Sequence, residues 1–171
     1  MESARPARPE DLPRCRQLAA EALDGIRSAR GGPELLAVRA GRPAALVEGW
    51  AAAGGDRHLL VGLIDREVVG LAAGRIAPQA APGDGAPGTP AHPAPAGGSP
   101  AVGSIECCYV EPAARQVGVG TALVTGLLSW FIECGCTGVD AWALPGDRMT
   151  KQLFEAAGLT ARLLVLHRRL P

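Results

Sequence analysis

Apolar residues change period several times along this chain, and each change predicts an element. Leu12, Cys15, Leu18, Ala19, Ala22, Leu23 and Ile26 form one helical stripe. Pro9-Glu10-Asp11 ahead of it suits a first turn. Gly31-Gly32-Pro33 breaks the chain, and a second helical pattern over Glu34 to Ala53 is interrupted near Gly41-Arg42-Pro43, which predicts two pieces. His58 to Asp65 and Glu67 to Ile76 are rich in Leu, Val and Ile and predict a hairpin turning at Asp65-Arg66. Ala4-Arg5-Pro6-Ala7 predicts a short edge strand before them.

The second half opens with a Pro, Gly and Ala stretch over 78–103, where repeated prolines forbid both ladder and helix bonds. It predicts a flexible insertion, either a tolerated loop expansion or a substrate lid. Ala101 to Val110 predicts a fourth strand, and strict alternation puts Ser104, Glu106, Cys108 and Val110 on one face. Ile105, Cys107 and Tyr109 then fall on the other. The nearly uncharged run from Gln116 to Cys134 predicts a helix packed on more than one side, so a homodimer is one expectation. Thr137 to Leu144 predicts a fifth strand. Asp147 suits a helix N-cap for Arg148 to Ala157, with Gly158 closing it. Leu159 to Leu170 predicts a last strand or two.

Composition narrows the function. The 171 residues are 47% apolar and 20% charged, and fit one globular domain over 1–171. Net charge is zero, which argues against a nucleic-acid partner. The polar, Pro-rich start lacks the apolar core of a signal peptide, and no run is long enough to span a membrane, so a cytoplasmic location is expected. The five cysteines lack disulfide or zinc spacing and read as small buried hydrophobes. His58, His92 and His167 are scattered, and no metal site is expected.

Chemistry concentrates at the join between the fourth strand and the long helix. There Gly118 and Gly120 sit where a helix starts, and a helix start offers unpaired N–H groups and a positive dipole end to a phosphate. A Walker loop needs Gly-Lys-Ser/Thr, which is absent, and a dinucleotide fingerprint needs a third glycine where Leu123 stands. The longer string does match one pattern. Val110-x-Pro112-x-x-Arg115-x-x-Gly118-x-Gly120-x-x-Leu123 resembles the acetyl-CoA signature of the GNAT N-acetyltransferase superfamily. Residues 147–159 resemble its second signature in part, with Asp147 for the usual Asn, Phe154 for Tyr, and Gly158-Leu159 for Gly-Phe.

The resemblance implies the acyl-CoA N-acyltransferase fold: three α/β layers around a mixed, mostly antiparallel sheet of 6–7 strands, splayed between strands 4 and 5, with about four flanking helices. It implies an acetyl-CoA-dependent acyltransferase acting on a primary amine of a small molecule or protein. The alternative is a weak or inactive acyl-CoA-binding protein of the same fold. Backbone amides of Arg115, Gln116, Val117, Gly118, Val119, Gly120 and Thr121 would then hold the pyrophosphate, and Cys108, Tyr109 and Val110 the pantetheine arm. Asp147 would bond that arm or serve only as a cap. Lys151 would reach a CoA phosphate or remain a solvated helical lysine. Glu106 is the candidate base, against the simpler reading of a sheet glutamate paired with Arg or Lys. Tyr109 is either a packing residue or the leaving-group acid, since Phe154 has no proton to give.

Overall fold

The computed structural model describes residues 1–38, 43–51, 55–78 and 101–162. Strands β1 (Glu2–Pro6), β2 (Arg57–Ile64), β3 (Glu67–Pro78), β4 (Ala101–Val110) and β5 (Gly138–Ala141) form one sheet in that order. The first three pairings are antiparallel and β4–β5 is parallel. Helices α1 (Leu12–Ser28), α2 (Gly32–Val38) and α3 (Pro43–Ala51) come before β2. Helix α4 (Val119–Glu133) follows β4, and α5 (Arg148–Ala156) follows β5.

The α/β class and the mixed sheet agree with expectation, but the counts differ. Five strands and five α-helices stand among the described residues. The second helical pattern does split, giving one helix more than the four expected. The predicted last strands over 159–170 fall largely outside the described residues, and Leu159 to Arg162 form no strand. Most of the Pro-rich insertion also lies outside them. Its described ends belong to the sheet, with Pro78 opposite Ala101. Proline is tolerated at that strand end because little ladder remains to donate to.

Two cores sit on opposite faces of the sheet. Leu60, Ala72, Ile105, Leu123, Leu127 and Phe131 pack beneath α4, and Cys15, Leu18, Val47, Trp50, Val61 and Leu71 pack beneath α1 and α3. Helix α4 approaches closely because glycines floor its face. A Cβ at Gly103 would stand 2.5 Å from Phe131 Cδ1, and one at Gly74 2.8 Å from Phe131 Cζ. Its uncharged sequence is thus matched by a flat apolar seat.

Alternation on β4 fails at one place. Ala73 pairs with Cys107 but Gly74 with Ile105, so Glu106 is an extra residue in a β-bulge. The bulge turns Ile105 to the α4 face with Cys108 and Val110, while Cys107 and Tyr109 join the α1 side. Strict period-2 counting therefore misassigned Ser104, Ile105 and Glu106 to their faces. The hairpin expectation held: Asp65 and Arg66 both take positive φ (48° and 85°), as a two-residue turn between antiparallel strands requires.

Cysteine burial is uneven. Burial pushes the Cys107 and Cys108 thiols up to about 12 and that of Cys15 to about 11. Cys134 is exposed at the C-terminus of α4, against the expectation that all five are buried. Among the described residues no helix is long and apolar enough to cross a membrane, and no cluster of His, Cys, Asp and Glu could hold a metal ion.

Candidate functional site

Strands β4 and β5 pair only from Val102↔Gly138 to Ile105↔Ala141. Beyond Ile105, β4 runs on to Val110 with β3 on one side and no β5 on the other. The chain after Ala141 leaves the sheet, turning where Asp147 N–H donates to Leu144 O at 3.0 Å. Among the described residues, that edge of β4 from Glu106 to Tyr109 thereby has no strand beside it, and Val110 O is taken by the Arg115 side chain.

That open edge leads into the amide-rich loop. A 3-10 turn over Pro112–Ala114 follows β4, and Ala114 is buried beneath it. Gln116 (φ 67°) and Gly118 (φ 104°) are left-handed, and Gly118 is the N-cap of α4. Left-handed residues among right-handed ones turn successive amides inward, as in anion-binding nests. The ladder of α4 begins with Ala122 N–H to Gly118 O at 3.0 Å, so the amides before it are the helix's free donors. Val119 is buried and pins this first turn to the core.

The predicted residues of the motif do not all face this cradle. Arg115 N–H goes to Pro112 O at 3.4 Å, and its side chain donates to Val110 O at 2.9 Å while lying over the Tyr109 ring. Arg115 is thus a brace between loop and strand. Gly120 has a second reason for lacking a side chain: a Cβ there would lie 3.3 Å from Leu153 Cδ2 of α5. Gln116, Val117 and Thr121 are exposed.

Glu106, at the bulge, accepts from Trp50 Nε1 at 3.0 Å and Arg75 Nε at 3.2 Å. Tyr109 donates its hydroxyl to Glu21 of α1 at 3.1 Å; burial, then the Glu21 bond, pushes its pKa above the usual phenol range. Glu111 accepts from Arg14 of α1 through its carboxylate. Asp147 caps α5 by accepting from Thr150 N–H at 3.0 Å. Lys151 pairs with Glu155 at 3.6 Å on the exposed face of α5, and Phe154 is buried in the α4 core. A hollow of about 690 Å³ lies on the α1 side of the loop, lined by Arg14, Gln17, Glu67 and Glu111 among others. Its lining includes none of the β4 edge residues from Glu106 to Val110.

The model of the acetyltransferase (GNAT) family matches residues 26–159. The chain belongs to the acetyltransferase (GNAT) family. No curated protein matches it. Solved structures share the fold of this GNAT chain. One is an aminoglycoside N-acetyltransferase, AAC(6')-Iy, in complex with CoA, at TM-score 0.70 and 18% identity, with 99% of this chain and 95% of that one covered. A ribosomal-protein-alanine N-acetyltransferase from Brucella melitensis gives 0.65 and 14%, over 100% of both chains. Glucosamine-6-phosphate N-acetyltransferase from Arabidopsis thaliana gives 0.63 and 15%, over 100% of this chain and 99% of that one. Their named acceptors are an aminoglycoside, a protein and a sugar phosphate, so the shared fold does not choose an acceptor.

Membership makes this GNAT chain an acyltransferase by class. Trp50, Arg75 and Arg14 escaped the sequence reading because they meet the site from 31 to 97 residues away. Only the lone Glu in an apolar strand hinted that partners were needed.

Proposed function

We propose that this chain is a single N-acetyltransferase domain that moves an acetyl group from acetyl-CoA to a primary amine by direct attack. The observation that carries the reading is the open edge of β4 running into the left-handed turns at Gln116 and Gly118. Amides of residues 116–121 fit a pyrophosphate, being donors at a helix start with no side chain at Gly118 or Gly120. The edge from Cys108 to Val110 fits an extended amide-bearing arm, as an added strand would.

In the reaction the amine lone pair forms the new C–N bond and the thioester C–S bond breaks. A backbone N–H of the β4 edge facing the acetyl oxygen would stabilise the oxyanion, and one such donor is worth about 3 kcal/mol. Glu106 takes the proton that the attacking amine must lose, directly or through one water. The thiolate departs and is protonated by water, since Phe154 offers no proton and a thiol titrates near about 8.5. Asp147 keeps its capping role, with a second oxygen left for the arm.

Buried Phe154 favours a second reading, a CoA-binding protein of the same fold without turnover. Calorimetry with acetyl-CoA and a thiol-release assay across a panel of amines separate the two. Binding with amine-dependent release supports the enzyme. Binding with release no faster than hydrolysis for every amine supports the binder, and stabilisation by ATP or NAD but not by acetyl-CoA refutes both. Gly118→Ala, which forces a side chain into a φ of 104°, is expected to weaken CoA binding at least tenfold.

A further inference from the structure

Glu106 owes its place to the bulge, which inserts one residue into an otherwise regular strand and aims its side chain at the α1–α3 face. There it meets two donors from two different elements. Trp50 comes from the last turn of α3, buried at 5% exposure among Val47, Leu59 and Leu71. Arg75 comes from β3, opposite Ser104, one step before the bulge. Trp50 Nε1 reaches Oε2 and Arg75 Nε reaches Oε1, so among the described residues each carboxylate oxygen has one donor. Two donors on two oxygens set both the position and the plane of the group. The carboxylate has about four acceptor directions, so room remains for a substrate proton.

The chemistry of the two partners is suited to holding a base. Indole N–H donates only, and a guanidinium stays protonated at any working pH. Neither can take the proton that the carboxylate is meant to receive. A lysine or histidine in either place could compete for it.

We propose that Trp50 and Arg75 are positioning residues that hold Glu106 for proton transfer, α3 supplying the fixed donor and β3 the exposed one. This rests on the reading of Glu106 as the base. The competing account is a structural knot that only ties α3 to the sheet.

The test is a mutant cycle on the full chain, with acetyl-CoA and the amine turned over fastest by the wild type. Glu106→Gln is expected to lower kcat about 100-fold. Trp50→Phe and Arg75→Gln should each lower kcat about tenfold, the size expected for a lost bond to a charged group, with KM for acetyl-CoA unchanged. Combined with Glu106→Gln, neither should lower kcat further, because both act through that one carboxylate. Arg75 is 42% exposed at its side chain, so its variant keeps the test valid even if the buried Trp50→Phe fails to fold. Single variants without effect on kcat, or losses that add to that of Glu106→Gln, overturn the positioning role alone. A harmless Glu106→Gln overturns the base assignment with it, and a wild type inactive on every amine overturns the proposed function.

Discussion

The α4 face and the α1–α3 face of the sheet are built from neighbouring residues of the same strands, yet they differ in kind. On the α4 face the contacts are apolar, and Gly74 and Gly103 let Phe131 sit almost on the backbone. What this face contributes to the site is main chain: the amides at the start of α4. On the other face the apolar core is edged by charged and polar pairs, Glu106 with Arg75 and Trp50, Glu111 with Arg14, and Tyr109 with Glu21. That face contributes side chains. On the proposed reading, the difference teaches that binding and proton transfer can be disturbed separately, although they sit within one strand's width of each other.

Core truncations probe this division with the largest effects. Phe131→Ala is expected to cost about 4 kcal/mol in urea unfolding and Leu18→Ala about 3 kcal/mol, since both side chains are fully buried. Only the first should also weaken CoA binding in calorimetry, because α4 carries the proposed cradle. Equal losses of affinity in the two variants would erase the distinction between the faces.

A smaller effect tests the polar edge of the α1 side. Asp11 is buried and accepts from Arg5 at 2.6 Å and from Arg8 N–H at 2.7 Å. The Arg5 guanidinium first, and the Arg8 amide after it, hold its carboxyl below the usual 3.8 against the opposing pull of burial. A carboxyl depressed in the folded state stabilises above its unfolded value, and that contribution fades as pH falls through the lower folded value. Asp11→Asn should therefore cost about 2 kcal/mol at pH 7, with the gap to wild type closing below about pH 4. A gap constant from pH 7 to pH 3 would show that shape, not charge, is what Asp11 supplies.

The smallest effect belongs to α5. Lys151 and Glu155 form an exposed pair, and such pairs contribute less than about 0.5 kcal/mol. Lys151→Ala should leave both the unfolding midpoint and the CoA affinity nearly unchanged. A tenfold loss of affinity would give Lys151 a phosphate contact and extend the cradle to a second helix.

Much of the architecture was legible where the signal is local. The stripe from Leu12 to Ile26, the Asp65-Arg66 turn and the Asp147 cap each depend on residues a few positions apart, and each appears as expected. The signature over 110–123 was legible for the same reason, being one continuous strand, loop and helix start. The faces of β4 were not, because a bulge changes alternation without leaving a mark in hydrophobicity. The second cause for Gly120 was hidden as well, since Leu153 arrives from another helix.

By itself the amino-acid order determined the helices, the hairpin and the glycine-turned helix start, because backbone preference and periodicity act over one or two turns of chain. Only the tertiary structure decided that β4 outruns β5 beyond Ile105, that the Arg115 side chain braces Val110, and that Trp50 and Arg75 meet on Glu106. Those arrangements come from contacts between segments distant in sequence. Their partners are chosen by packing geometry, which no local pattern of residues encodes.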